Sequence, residues 1–155
     1  MRVLIAEDDL ISRKILARFL APYAESVLAA DGNEALQCYE DALKANNPFN
    51  VILLDMVMPH KDGLEVLEKA EQFRPEVIVL DIGMPKLDGL ETARRLRQKQ
   101  WAREAILIAI TGWGDEKDKR QSAEAGFNVH LVKPVDPVAL LNVLEKIDQS
   151  KANSG

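Results

Sequence analysis

The chain has 155 residues, 47% of them apolar and 29% charged, with a formal net charge of −5. This is the length of one domain with enough apolar residues for a core, and it excludes a disordered tail, a collagen-like chain and a disulfide-stapled miniprotein. The acidic balance, with a pI near 5.1, argues against a nucleic-acid surface, which needs a basic patch.

Met1-Arg2 leads straight into Val3-Leu4-Ile5, too short an apolar region for a signal peptide. Val3–Ala6 is the first predicted strand, and Glu7, Asp8 and Asp9 stand where it runs out. An amphipathic helix follows, with Ile11, Ile15, Leu16, Phe19 and Leu20 on one stripe. Ser26–Ala29 gives a weaker strand signal, and Asp31-Gly-Asn-Glu34 has capping-box spacing for the next helix. Cys38 is the single cysteine; with no internal disulfide possible, a reducing compartment and a cytoplasmic location are expected.

Val51–Leu54 predicts a strand ending at Asp55, followed by a second capping box, Asp62-Gly-Leu-Glu65. Val77–Leu80 ends at Asp81 in the same way and is followed by Asp88-Gly-Leu-Glu91. Ile106–Ile110 leads to Thr111, and Gly126 marks a helix end. Val129–Val132 leads to Lys133, and Asp136-Pro137 supplies a cap with proline at the first helical position. Residues 149–155 read as a frayed tail. No apolar run approaches the ~20 residues that span a bilayer, so no membrane partner is expected. Near-continuous Val/Ile/Leu strands alternating with helices predict an α/β fold, a doubly wound parallel sheet of six βα units.

One segment occurs twice. Residues 51–65, VILLDMVMPHKDGLE, match 77–91, VIVLDIGMPKLDGLE, at an offset of 26 in ten of fifteen positions. The likeness stops abruptly, since 66–70 and 92–96 share nothing. A tandem duplication should stay similar further along, whereas two related chains joined with one βα unit in common look like this. A solenoid would need three or more repeats.

In an open parallel sheet, ligands bind beyond the carboxyl ends of the strands. Glu7, Asp8, Asp55, Asp81, Thr111 and Lys133 all fall on that rim. Clustered carboxylates make an oxygen site for Mg2+, and a carboxylate can act as nucleophile toward phosphorus. A lysine neutralises charge on the transferring group while a hydroxyl donates to its oxygens. Each residue alone reads as a solvated strand end; only the conjunction points to phosphoryl chemistry.

Leu4-Ile-Ala-Glu-Asp-Asp9, Leu54-Asp-Met-Val-Met-Pro59 with Asp62-Gly63, Ile110-Thr-Gly112 and Val132-Lys-Pro134 together resemble the receiver domain of bacterial two-component response regulators. That is the chemotaxis-type, flavodoxin-like fold with strand order 2-1-3-4-5, and the resemblance covers nearly the whole chain. It implies that Glu7, Asp8, Asp55 and the backbone carbonyl of Val57 hold Mg2+. Asp55 and Asp81 both match the phospho-accepting aspartate, and Asp55 is favoured because its strand is placed beside Glu7 and Asp8. Thr111 matches the switch hydroxyl and Lys133 the phosphate-contacting lysine, with a cis Lys133-Pro134 bond. His130 stands where the family has a switch aromatic and reads as a core or rim histidine without a partner. His60 is too isolated for a metal pair. The implied partners are a histidine kinase, a phosphotransfer protein or a small phosphodonor, and the implied role is signalling rather than enzymatic.

The chain departs from the family in length of fold. A receiver has five βα units, and removing the 26-residue overlap leaves 129 residues. Residues 1–148 are therefore expected to form a single receiver-like domain. Residues 1–70 look like the front of one receiver and 71–148 like the back of another. The expected strand order is 2-1-3-4-5-6, which right-handed crossovers allow. Five strands with one copy displaced, or halves exchanged between two chains, stay open. In the six-strand order Asp55 and Lys133 stand on the order of 14 Å apart at ~4.8 Å per strand, so Lys133 should pair with Asp81. Three functions remain: a phospho-accepting module, an engineered or recombinant chimera that keeps the fold but has lost switching, and a haloacid-dehalogenase-type phosphatase. The last needs a second acid two residues beyond the nucleophile, where this chain has Val57 and Gly83.

Overall fold

In the computed structural model, which describes residues 1–56, 63–72, 74–82, 87–112 and 114–153, strands and helices alternate throughout. They are β1 (Arg2–Ala6), α1 (Leu10–Leu20), β2 (Glu25–Ala29), α2 (Gly32–Lys44), β3 (Val51–Asp55), α3 (Gly63–Lys69), β4 (Val77–Ile82), α4 (Leu87–Gln98), β5 (Ile106–Thr111), α5 (Glu116–Ala125), β6 (Val129–Val132) and α6 (Pro137–Ala152). Short 3-10 turns at Ala70–Gln72 and Gln100–Ala102 follow α3 and α4. The six strands form one sheet in the order β2-β1-β3-β4-β5-β6, and every pairing is parallel. This is the expected order, with the second copy of the repeated unit inserted directly beside the first. Leu54 pairs with Leu80, and Asp55 with Asp81.

Strand side chains alternate between the two faces, and the buried residues divide accordingly. Leu4, Ile52, Ile78, Leu80 and Leu107 pack under α2 to α5, with Tyr39, Leu67 and Leu96 from the helices. Val3, Ile5, Leu53, Val79 and Ile108 pack under α1 and α6, with Leu20, Leu140 and Leu144. Each such side chain stabilises the fold by about 1.5–3 kcal/mol on burial. The edge strands β2 and β6 are less buried than the four between them.

The caps explain where the helices begin. Asp31 accepts from the Glu34 N–H at 2.9 Å while Glu34 reaches back to the Ala30 N–H at 2.7 Å, a reciprocal arrangement that satisfies two otherwise orphaned donors. Asp136 accepts from the Val138 N–H at 2.9 Å, and Gly126 ends α5 in the left-handed region at φ 109°, as its position predicts. Asp62 lies outside the described residues. Two boundaries differ from the sequence reading. Helix α4 starts at Leu87, so Asp88 stands inside its first turn rather than at the cap. A Cβ at Gly89 would come within 2.7 Å of Ile82, so this turn is held close against β4. Helix α6 runs to Ala152, which makes 149–152 helical; nothing in Gln149-Ser-Lys-Ala stops a helix. Among the described residues no helix is long and apolar enough to cross a membrane.

Candidate acidic site at the carboxyl edge

Because all six strands are parallel, their carboxyl ends lie on one edge of the sheet. Period-two alternation decides which side chains share a face there. Glu7 continues the phase of Val3 and Ile5, Asp55 that of Val51 and Leu53, Asp81 that of Val77 and Val79, and Lys133 that of Val129 and Leu131. All these apolar residues belong to the α1/α6 layer, so the four charged residues stand on its side. Thr111 has the opposite phase, with Leu107 and Ala109 of the other layer.

Glu7, Asp8 and Asp55 each offer a carboxylate oxygen, and these oxygens lie within 4.8 Å of one another. Glu7 and Asp55 are half-buried and Asp8 is exposed. Burial pushes the Glu7 carboxyl up to about 7; the Asp9 N–H donated to it works the other way, and the charges of Asp55, Asp81 and Asp8 add to the rise. That N–H lies 3.0 Å from Glu7 Oε1. The charged form of Glu7 is thus disfavoured first by burial and then by the neighbouring carboxylates. All three donors are hard oxygens, the set that suits Mg2+. A cavity of about 30 Å3 between Glu7, Asp55 and Asp81 has room for an occupant of water's size.

Asp81 stands one strand further along and takes part in a different pair. Lys133 Nζ lies 2.7 Å from Asp81 Oδ1, an ion pair between partly exposed side chains. The pairing is the one the strand order requires, since β6 is three strands from β3 and two from β4. The Lys133 N–H donates to the Thr111 carbonyl at 2.8 Å, and the Lys133-Pro134 bond is cis. Thr111 is buried and lines a small cavity with Ile82, Ser122 and His130. Here the sequence reading needs correction: His130 has a partner, its Nδ1 lying 3.0 Å from Ser122 Oγ. Ser122 reaches it from the neighbouring helix, a tertiary contact that no local pattern announces.

The rim residues thus fall into two groups: Glu7, Asp8 and Asp55 on one side, Asp81 and Lys133 on the other. Val57 and His60 lie outside the described residues. Asp9, grouped with the rim acids in the sequence, instead caps α1 by accepting from the Ser12 N–H at 2.7 Å, and this hydrogen bond holds its carboxyl below the usual range. Sequence reasoning missed Arg13. Its guanidinium donates to the Glu7 carbonyl and, at 3.4 Å, to the Asp8 carbonyl, tying the acidic turn to α1. Only its placement one helical turn beyond Asp9 hints at this.

The family model described as response regulator receiver domain matches the chain twice, over residues 3–72 and 61–145. The transcriptional regulatory protein AruR of Pseudomonas aeruginosa is 26% identical over 159 residues, a match that takes in 99% of this chain and 53% of AruR. The chain spans about half of AruR's length, and less of several other relatives. Among solved structures, a CheY-like response regulator receiver domain protein from Methanospirillum hungatei is 27% identical with a TM-score of 0.57, over 98% of this chain and 97% of that one. The chemotaxis response regulator CheY4 of Vibrio cholerae shares the fold with a TM-score of 0.60 at 23% identity, over 94% of this chain and 97% of its own.

Proposed function

From the premise that this chain belongs to the response regulator receiver family, we propose that it accepts a phosphoryl group on Asp55 in a Mg2+-dependent reaction. Receiver domains are signalling modules rather than enzymes, and their phosphodonors are phosphohistidine proteins or small phosphorylated molecules. A histidine kinase or phosphotransfer protein is therefore the proposed partner, in the cytoplasm. The observation that carries the choice of Asp55 over Asp81 is that Asp55 shares the acid cluster with Glu7 and Asp8, while Asp81 is engaged by Lys133.

Glu7, Asp8, Asp55 and the Val57 carbonyl would hold the ion. When bound, Mg2+ neutralises charge on the phosphoryl oxygens. A carboxylate oxygen of Asp55 attacks phosphorus, forming an O–P bond as the donor's bond to phosphorus breaks; with acetyl phosphate, acetate leaves with the electron pair. Thr111 and Lys133 are the residues that would read the product. Their placement beside Asp81 leaves them poorly placed to do so, and a protein that takes phosphate but switches weakly is the reading that results.

The same observations support an origin by joining of two receivers. Residues 1–70 would supply the front of one, 71–148 the back of another, and 149–155 an extension. The abrupt repeat, the doubled family match and the alignment of Asp55 with Asp81 across adjacent strands all fit a third βα unit kept twice.

The test is labelling by acetyl phosphate followed by mapping of the modified residue. Label on Asp55 that requires Mg2+ and is lost in Asp55→Asn is the expected result. Label on Asp81 alone would reverse the choice of acceptor, and no labelling under any condition would remove the proposed activity.

A further inference from the structure

The inserted unit widens the sheet but covers only one of its faces. Helices α2 to α5 lie on that face, whereas α1 and α6 alone lie on the other. Six strands at ~4.8 Å spacing make a sheet about 24 Å across, and two helices of ~10 Å diameter cover about 20 Å. Helices α1 and α6 accordingly touch only lightly, and a groove of about 70 Å3 opens between them. Ile15 and Phe19 line it from α1, Pro137 and Leu141 from α6. This is far below the ~300 Å3 of a small-molecule pocket, so the side chains of another protein surface are what can enter it. Apolar side chains continue along both helices beside the groove. Ile11, Ile15 and Phe19 form one row on α1 at spacings of four, and Ile11 is 69% exposed. Val138, one turn before Leu141 on α6, is 60% exposed.

The charges beside these rows identify the occupant. Helix α1 exposes Lys14 and Arg18 and carries no acid. On α6 the row Val138, Leu141, Glu145, Asp148 turns acidic in its second half, where both acids are exposed. Among the described residues none of these four charged groups belongs to an ion pair. Both helices return from the carboxyl edge to the amino edge, so they run in the same direction. The groove joins the second half of α1 to the first turns of α6. A two-fold axis through the groove, perpendicular to the sheet, therefore lays α1 of one copy antiparallel over α6 of the other. Ile15 and Phe19 then meet Val138 and Leu141, and Lys14 meets Glu145 and Asp148, each contact being made twice. A foreign partner would have to supply this pattern, and a second copy already carries it. We propose that the α1/α6 face is a self-association surface on which two copies of this chain pair as a four-helix layer. The pairing uses none of the rim residues, so it stands or falls apart from the phosphoryl reading.

Sedimentation velocity of the full chain, from micromolar to millimolar concentration, is the test. A concentration-dependent shift from monomer to dimer is expected, weakening as salt screens the charges. Ile11→Glu replaces an exposed side chain, so it should leave the far-UV circular dichroism unchanged and abolish the dimer. Lys14→Glu and Glu145→Lys should each raise the dissociation constant roughly tenfold, because each reversed charge faces a like charge twice. Combining the two reversals restores the opposite charges and should recover most of that loss. A chain that stays monomeric throughout overturns the proposal. A dimer that survives Ile11→Glu does so too, since it must form elsewhere or by exchange of halves. A double reversal no tighter than the singles would reject the packing of α1 on the partner's α6.

Discussion

Glu7 sets the pH dependence of the acidic rim. Its carboxyl titrates near 7 in the folded protein against 4.5 for an ordinary glutamate. Between these values the native state holds a proton that the unfolded chain has released, so its contribution to stability is complete below 4.5 and is lost as pH rises through 7. Glu7→Gln keeps the acceptor for the Asp9 N–H and removes the charge. It should stabilise the metal-free protein at pH 8 by roughly 1–2 kcal/mol and leave it almost unchanged at pH 4. Millimolar Mg2+ needs the ionised carboxylates, so it should raise the melting temperature at pH 8, do so progressively less as pH falls below 7, and have no effect on Asp8→Asn. Thermal melts across that pH range are the check, and a Mg2+ effect independent of pH would contradict the site. Arg97 is a residue of another kind. Its guanidinium donates to the carbonyls of Ala102 at 2.7 Å, Ala105 at 2.8 Å and Gly126 at 2.7 Å, and to Asn128 Oδ1 at 2.6 Å. The planar fork spans two loops, and an ammonium cannot reproduce it. Arg97→Lys should therefore cost about 2–4 kcal/mol in denaturant unfolding.

At the level of elements, Arg97 and Gly126 join the end of α4 to the end of α5. Gly126 is left-handed at φ 109°, and an added Cβ would come within 2.6 Å of Arg97 Cγ. Gly126→Ala should cost more than the ~1 kcal/mol of backbone strain alone, because the arginine must also move. The double variant Gly126→Ala/Arg97→Lys should then be less destabilised than the sum of the singles, since both break one junction; strict additivity would show the two act apart. This contrast also shows what the sequence can reveal. The strands were legible because central parallel strands must be apolar on both faces, and Gly126 was legible because helix ends have a local chemistry. The start of α4, the helical 149–152 and the His130–Ser122 pair were not: the first is fixed by the close approach of Gly89 to Ile82, the second follows only from the lack of a stop signal, and the third is a contact between two elements. Arg97 is the extreme case: its partners are mostly backbone carbonyls, which carry no sequence signal. The rim acids could be placed on one edge by counting strands, but their division into two groups needed the strand order.

For the whole molecule, that order decides how a phosphoryl group could be sensed. Parallel pairing puts β3, β4, β5 and β6 side by side, so Lys133 stands on the order of 14 Å from Asp55 at ~4.8 Å per strand. It meets Asp81 instead, at 2.7 Å. Thr111 is likewise two strands from Asp55 and faces the α5 layer, near Ser122 and His130. A ligand shifts a conformational equilibrium only through contacts that differ between the two states, and a group on Asp55 has few such contacts with the loop after β5. Trp113, which lies outside the described residues, is two positions beyond Thr111 in sequence and is the probe once Trp101→Phe removes the other indole. Adding Mg2+ and beryllofluoride, an acyl-phosphate mimic, should change its fluorescence little. Asp81→Asn releases Lys133 from its ion pair but moves no strand, so it should not restore the response. A large saturable change that vanishes in Lys133→Ala would mean that the lysine leaves Asp81 and reaches the phosphoryl group across three strands, and that the inserted unit does not uncouple the site after all.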